Sequence, residues 1–492
     1  MTQSKYLKLA TAVAAILATS GVSHAAESAA LVDALLKKGI LSTKEAEDIR
    51  ADMSKSEGSG DKIKLSNSIT ELKLYGDLRV RYQYDNKDAQ VDPIAPLGES
   101  GRSPSGGQRS RVRFRLRLDA EVKLGESFFG GVELQTNASS KSGNQTFENG
   151  FDDYGIYISK AYLGWKPADW STITLGKAGN PFYTTDLVWD PDINPNGAFE
   201  TVAFHKLFAP HADAGMSKDG KTAAPAPALP WELTLVAGQM VFDDNLEGGG
   251  TDNATRDNDS TTDAWLFETQ LVGSYKFGNG IKVTLAPAWM TYVNGSVSGL
   301  TSPNAFQDNA RVSGATRNLN IVLAPGDVSF KIGNLKAKVL WDFAWNIEGR
   351  KRAEDIYHLV ALHTKGPGQQ PDPNDFTKLH NNQDDYAFLV GFQLGENKKK
   401  GDWSVLANYR QTGIASLDPN LVDDDFALGE LNSRGFRINA AYNFTDFCVG
   451  GVNYLTSWGL RGNLAGGEAT SGNAIADGNS VQVLMLDLMI KF

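Results

Sequence analysis

Cysteine is almost absent from this chain. Cys448 is the only one in 492 residues, so no disulfide can form within the chain. Neither a histidine nor a cluster of basic residues lies beside it in the sequence to activate the thiol. We therefore interpret Cys448 as a small packing residue in a strand.

Long apolar runs are missing as well. After residue 25, no stretch approaches the 18 or more apolar residues that a transmembrane helix needs. The mean hydropathy is −0.31, that of a polar protein. Two classes remain, a large secreted β-protein and a β-barrel of an outer membrane. In such a barrel, lipid-facing and lumen-facing residues alternate, so the average hydropathy stays low.

Catalytic motifs are also lacking. The histidines have no metal-ligand spacing, and the sequence contains neither a G-x-S-x-G elbow nor a phosphate-binding loop. We predict no catalytic residue, metal or cofactor, and no nucleic-acid partner for a chain of net charge −10. An outer-membrane hydrolase could still assemble a Ser/His pair from different strands, so a hidden enzyme is an alternative.

Several short acidic clusters lack the spacing of an EF-hand loop. We expect them to be solvated or to face lipopolysaccharide, with calcium binding as the alternative. They are Asp152-Asp153, Asp243-Asp244, Asp384-Asp385 and Asp423-Asp424-Asp425.

What the sequence does contain is alternation of polar and apolar residues. In residues 109–124, RSRVRFRLRLDAEVKL, arginine fills every odd position from Arg109 to Arg117, and apolar residues fill the even positions from Val112. A period of two predicts a β-strand with two unlike faces, because a helix would spread the arginines around its circumference. At about 6.6 Å per two residues, the arginines span about 26 Å, close to the thickness of a bilayer's hydrocarbon core.

These arginines are predicted to face a water-filled lumen. A charged side chain that faces lipid at mid-bilayer costs about 2–4 kcal/mol, so four or five on one strand could exceed the stability of an ordinary domain. In a dry core, unpaired like charges would repel one another. A soluble β-sandwich, whose outer strands also alternate, is the alternative. Together with the similar strand that begins at Glu71, the predicted lining is Lys73, Arg79, Arg81, Arg111, Arg113, Arg115 and Arg117.

Similar strands recur along the chain, separated in turn by long polar loops and short turns. We count about 16 strands, or 18 if residues 209–230, which are too long for a short turn, conceal a hairpin. An even strand number with this asymmetry between the two ends is expected of a bacterial outer-membrane barrel. The predicted fold is all-β, a transmembrane antiparallel β-barrel over residues 70–492.

The residues before the barrel have another character. Residues 1–25 have the three-part pattern of a secretory signal peptide. Residues 26–56 predict a short helical segment in the periplasm, with a capping box at Ser42 and Glu45, and 57–69 form a polar linker. The helical segment is either a spacer or a contact with the cell wall or with another copy.

Four stretches carry a resemblance to a known family. They are LVDALLKKGILSTKEAEDI near the start, GKAGNPFYTTDLVWDPDINPNG at 176–197, KKKGDWSVLANYR and DDDFALGELNSRGFRINAAYNFTD. The chain resembles the bacterial outer-membrane family known as the putative porins. This implies passive diffusion of small hydrophilic solutes, surroundings of outer-membrane lipid and lipopolysaccharide, and a homotrimer. The last strand ends on Phe492 and is similar to the signal that such barrels present to the barrel-assembly machinery.

The resemblance also implies a constriction. The loop 178–199 is similar to a family loop that folds inward, which here would bring Asp186, Trp189, Asp190 and Asp192 towards the basic wall. Opposed charges would then orient polar solutes by their dipoles. The alternative is that these carboxylates stay outside in solvent. We predict a porin with some preference for anions; a substrate-specific channel and a structural protein that tethers the envelope are the alternatives.

Overall fold

The computed structural model describes residues 66–87, 107–208, 229–243, 263–293, 318–353, 385–460 and 480–492. The predicted signal peptide, the helical segment and most of the linker lie outside these residues, as does most of 209–230. Their boundaries and roles stay predictions.

Ser68–Phe492 form one compact unit, built on a single antiparallel sheet. The alternating segments of the sequence form its strands, because a period of two gives each strand one apolar and one polar face. The short helix α1 (Phe204–Leu207) follows the seventh strand, and no described helix is long and apolar enough to cross a membrane. The strands are β1 (Ile69–Lys87), β2 (Gly107–Leu124), β3 (Phe128–Thr136), β4 (Gln145–Thr146), β5 (Ile156–Ala168), β6 (Ser171–Lys177), β7 (Asn196–Ala203), β8 (Trp231–Asp243), β9 (Ala264–Lys276), β10 (Lys282–Leu285), β11 (Ala288–Val293), β12 (Asn320–Leu323), β13 (Gly326–Ile332), β14 (Leu335–Asn346), β15 (Tyr386–Gly395), β16 (Trp403–Thr412), β17 (Ser433–Asn443), β18 (Cys448–Gly459) and β19 (Ser480–Lys491).

The sheet closes on itself. β1 pairs with β19 from Asp77↔Lys491 to Lys87↔Val481, and with β2 on its other side. Phe492 extends this seam, since its N–H donates to the carbonyl of Gly76 at 3.1 Å and its own carbonyl accepts from Gly76 at 2.8 Å. Closure joins the first and last strands of the described sheet, so neither of them is a free edge strand.

Sixteen strands cross the barrel wall. β10 and β11 form one crossing, interrupted at Pro287, and β12 and β13 form the next, interrupted at Pro325. Proline has no N–H for the ladder, which explains both breaks. β4 has two residues and only extends the pairing along β2. The prediction of 16 strands is confirmed; because β7 pairs directly with β8, residues 209–230 add no pair of strands between them.

The two faces of the wall differ as the alternation predicts. On β1, Leu78, Val80 and Tyr82 point outward and are 42%, 45% and 40% exposed, whereas Arg81 is buried on the inner side. Aromatic residues form a girdle on the outer face at the long-loop end, the position of the aromatic belt in membrane barrels. Neighbouring rings in this girdle lie 5.1 to 6.5 Å apart and belong to Tyr386, Phe388, Tyr409, Phe436 and Trp458.

The largest apolar cluster among the described residues lies inside the barrel. Inward-facing wall residues such as Met240, Leu266 and Leu389 pack against residues from two loops, 178–195 and 413–432. Burying these loop side chains removes their apolar surface from water, which favours an inward fold for both loops. The loops contribute Ala178, Phe182, Leu187, Val188, Trp189, Ile193, Leu417, Leu421, Val422 and Leu431.

Candidate functional site

Loop 178–195, between β6 and β7, is attached to the inner wall by side-chain hydrogen bonds. The hydroxyl of Tyr183 donates to Asp327 on β13 at 2.7 Å. The hydroxyl of Thr185 donates to Asp342 on β14 at 2.8 Å. Both acceptors are carboxylates, which make the stronger class of hydrogen bond.

Trp189 lies at the centre of this attachment. It is 2% exposed, and its ring stacks on Phe182 with centroids 6.5 Å apart. The indole N–H donates to Glu268 on β9 at 3.0 Å. The side chain that we expected at the constriction is thus packed in the apolar cluster, where it holds the loop.

Asp186 contacts the wall of the barrel that lies opposite β6. Its carboxylate binds Arg437 on β17, and its backbone carbonyl accepts from Arg410 on β16 at 2.8 Å. Arg410 also binds Asp423 at 3.2 Å and lies over the ring of Phe426 at 3.6 Å. Since the loop begins at β6 and reaches β16 and β17, it spans the lumen.

Asp192 is the loop acid that meets the predicted basic wall. Its carboxylate lies 3.6 Å from Arg115 and 3.8 Å from Arg117. At this contact, Asp192 is 21% exposed and Arg117 is 28% exposed, so both side chains keep access to water. Opposite charges therefore meet in direct contact here, rather than facing each other across a wide gap.

Carboxylates also partner the arginines within the wall itself. Asp77 binds both Arg115 and Arg117 at 2.8 Å, and Asp85 binds Arg111 at 2.9 Å. Alternation predicts that these arginines share one face, but it does not by itself pair them with carboxylates. The signal was available, because Asp77 and Asp85 occupy odd positions of β1 and so share the inner face with its arginines.

The other predicted lining residues have different surroundings. Arg81 binds Asp487 on β19 at 2.7 Å. Arg79 donates to Asn144 at 2.7 Å, and Arg113 donates to the carbonyl of the same residue at 3.0 Å. Lys73 is exposed near the turns, with its ammonium group 4.2 Å from the centre of the Tyr75 ring.

Loop 413–432 brings a second set of acids into the lumen. Asp423 is buried against Arg410, and Asp425 lies 3.6 Å from Arg81. The backbone N–H of Asp190 donates to the carbonyl of Leu421 at 2.7 Å, which ties the two loops together. The expectation that these acids would lie in a solvated outer loop is wrong, because Arg410 and Arg81 draw them onto the inner wall.

Where the two loops meet, their acids form a buried cluster. Carboxylate oxygens of Asp190, Asp423 and Asp424 lie within 4.8 Å of one another. Burial, with the neighbouring Asp423 and Asp424, raises the pKa of Asp190 to about 9. Burial, with Asp425 and Asp423, raises the pKa of Asp424 to about 7. Lys141 faces the same cluster from residues 137–144, and burial lowers its pKa.

We expect the inward packing of the two loops to weaken as pH rises. A solvated aspartic acid loses its proton near pH 4, whereas Asp190 and Asp424 hold theirs to about 9 and about 7 when packed. The packed arrangement binds more protons, so its stability falls between about pH 4 and pH 9. Single-channel conductance in symmetrical KCl should therefore be larger at pH 9 than at pH 5.

The variant Asp190→Asn checks the cause. Its amide cannot ionise, so most of the pH dependence should disappear. The lowered pKa of Lys141 has the opposite effect, because it stabilises the packed loops as the pH rises in the alkaline range. Asp190→Asn does not remove this effect. Equal pH dependence in the wild type and in Asp190→Asn would contradict the assignment to this cluster.

The family model described as "Putative porin" matches residues 7–340 and 334–492. The chain belongs to this family. It is an outer-membrane porin, and the resemblance inferred from the sequence is confirmed. No curated protein matches this porin.

Solved structures of bacterial porins are similar to this porin. Salmonella typhi OmpF in complex with daunomycin is 12% identical, with 87% of this chain and 99% of that chain covered and a TM-score of 0.43. Pseudomonas putida OprB at high pH is 10% identical over 86% and 94% of the two chains, with a TM-score of 0.43. A triple mutant of Rhodopseudomonas blastica porin is 10% identical over 86% and 100%, with a TM-score of 0.37.

Proposed function

We propose that small hydrophilic solutes diffuse passively through this porin along a path between loop 178–195 and the inner faces of β1 and β2. The observation that carries this proposal is the contact of Asp192 with Arg115 and Arg117, at which Asp192 and Arg117 stay in contact with water. A solute that passes there meets both signs of charge at short range. In a narrow aqueous path, charged lining groups set which ions enter.

We propose that the channel has a modest preference for anions over cations. Arg115 and Arg111 are neutralised by carboxylates of the wall, which limits the field that they add to the path. Arg117 shares Asp77 with Arg115 and is the most exposed of the three. Of these three arginines, Arg117 is therefore expected to influence ions most.

Replacing Arg117 with glutamine should lower the ratio of chloride to potassium permeability. Removing one charge about 4 Å from a passing ion changes the energies of chloride and potassium by about 1 kcal/mol each in water, with opposite signs. The ratio should therefore fall by at most about thirtyfold. The measurement is the reversal potential across a planar bilayer under a KCl gradient. The variant Asp192→Asn should shift it in the opposite direction.

Lys351→Gln is the matched control, because it removes the same charge from a side chain that is 70% exposed. An unchanged permeability ratio in Arg117→Gln would contradict the proposed lining. Folded wild-type protein that carries no current would contradict the open path itself.

A substrate-specific channel is the second candidate. Three inward segments favour it, because residues 137–144, 178–195 and 413–432 all pack within the lumen and narrow the remaining path. Saturation of the current by one solute at low concentration would support this candidate. A current that rises linearly with the concentration of every small solute would support general diffusion.

We further propose a homotrimer, assembly through the barrel-assembly machinery, contact with lipopolysaccharide and a periplasmic position for residues 26–56. Apolar side chains that point outward on β5 and β6 favour burial by lipid or by another copy. These include Ile158, Leu163 and Leu175, which are 62%, 66% and 54% exposed.

A further inference from the structure

A cavity of about 330 Å³ lies at the short-turn end of the barrel. It is lined by β10, β13, β14 and β15 near their turns. Short turns mark the periplasmic end of bacterial outer-membrane barrels. Four lysines line the cavity, Lys282, Lys331, Lys336 and Lys338, and we call them the lysine pocket.

Strand register brings these lysines together. Lys282 pairs with Ser329, and Ser329 pairs with Lys338 on its other side, so one row runs across three strands. In the next row towards the turn, Lys331 lies directly opposite Lys336. Residues paired in register share a face, and this face is the one that carries Asp327, the inward acceptor for Tyr183.

Positive charge in the pocket exceeds the negative charge around it. Glu396 binds Lys336 at 2.9 Å but also binds Lys398, outside the pocket, at 3.0 Å. Asp327 lies 4.0 Å from Lys338 and already accepts hydrogen bonds from Tyr183 and Ser329.

Lys282 is better balanced, since Glu232 binds it at 3.1 Å. The carboxylates therefore neutralise only part of the pocket.

Folding alone does not account for this arrangement. Like charges directly opposite each other destabilise a pair of strands, and Lys331 faces Lys336 in just that way. Lysines of the nearby turn, such as Lys399 and Lys400, are exposed but do not line the cavity. A wall that served only to fold would be expected to separate such charges, whereas this one directs four of them into one recess.

We propose that the lysine pocket binds a small oxyanion of charge −2, of which hydrogen phosphate is the simplest. Ammonium groups are compact charges on flexible stems, so several of them can adapt to phosphate oxygens without a fixed geometry. The cavity has the size of a small-molecule pocket. Because the pocket lies on the luminal face, the ligand is a free solute and not a lipid headgroup. Only its route to the pocket rests on the proposed channel.

The test is titration of the refolded, lipid-free protein with inorganic phosphate at low ionic strength, followed by calorimetry. We expect one saturable site in the wild type and an affinity at least about tenfold lower in Lys331→Gln/Lys338→Gln. The matched control, Lys399→Gln/Lys400→Gln, removes the same two charges from the neighbouring turn and should bind like the wild type. Heat-modifiable gel mobility verifies that each barrel is folded, and Lys338→Gln alone replaces the double variant if that fails to fold.

Two results would overturn the proposal. One is the absence of saturable phosphate binding by the wild type. The other is an equal loss of affinity in both double variants, which would mean a diffuse surface effect. Failure of the channel would appear separately, as missing current in phosphate-free KCl, and would leave the calorimetric result intact.

Discussion

Replacing Asp186 with alanine is expected to release loop 178–195 from the far wall of the barrel and to enlarge the channel. The substitution removes the carboxylate that binds Arg437 and lies 3.9 Å from Arg410. Arg410 is 4% exposed, so its charge stays buried when this partner is lost. Breaking a buried ion pair costs about 3–5 kcal/mol. The contacts that Arg410 keeps, with Asp423 and with the backbone carbonyl of residue 186, offset a part of that cost.

The expected consequence is opening of the path without loss of the barrel. The wall is held by the backbone ladders of sixteen strands, to which Asp186 does not contribute. A loss of even 3 kcal/mol shifts the balance between packed and released loop by about a hundredfold. Single-channel conductance should rise, and added protease should cut within 178–195 much faster than in the wild type.

Asp153→Ala serves as the control, since Asp153 is an exposed acid of another loop. It removes the same charge and should leave both readouts at the wild-type values. Conductance and cleavage that do not change in Asp186→Ala would show that the contact with Arg410 and Arg437 does not hold the loop.

The sequence predicts which residues of β1 and β2 face inward, but not which ion pairs these residues form. Alternation on β1 and β2 depends only on neighbours in the sequence, so it was enough to place the arginines on one face. The pair between Arg81 and Asp487 joins residues 406 positions apart. It exists because β1 meets β19 when the barrel closes, and no local pattern records which inward residue of the last strand will lie opposite Arg81.

The loops were harder to predict for a physical reason. Loop 413–432 has no alternation, and three consecutive aspartates suggest contact with water. The positive charges that override this tendency belong to strands outside the loop. They are Arg410 on β16 and Arg81 on β1. A long acidic loop adjoining a strand with an inward arginine is the combination that would have indicated an inward fold.

Replacing Trp189 with alanine should loosen the same loop at a different anchor. Removing a buried aromatic side chain from a packed cluster costs about 3–5 kcal/mol. The substitution also removes the indole N–H that Glu268 accepts, and the other carboxylate oxygen of Glu268 has no hydrogen-bond partner among the described residues. Both effects destabilise the packed loop rather than the strands.

Two further variants separate these effects. Trp189→Phe keeps most of the ring and removes only the N–H, so it should cost about 1–3 kcal/mol, the penalty of an unmet buried acceptor. Trp345→Ala, whose side chain points outward and is 46% exposed, controls for the loss of a tryptophan. Cleavage within 178–195 should be fastest in Trp189→Ala, intermediate in Trp189→Phe and unchanged in Trp345→Ala. Equal rates in Trp189→Phe and the wild type would mean that packing against Phe182 and its neighbours, and not the bond to Glu268, fixes the loop.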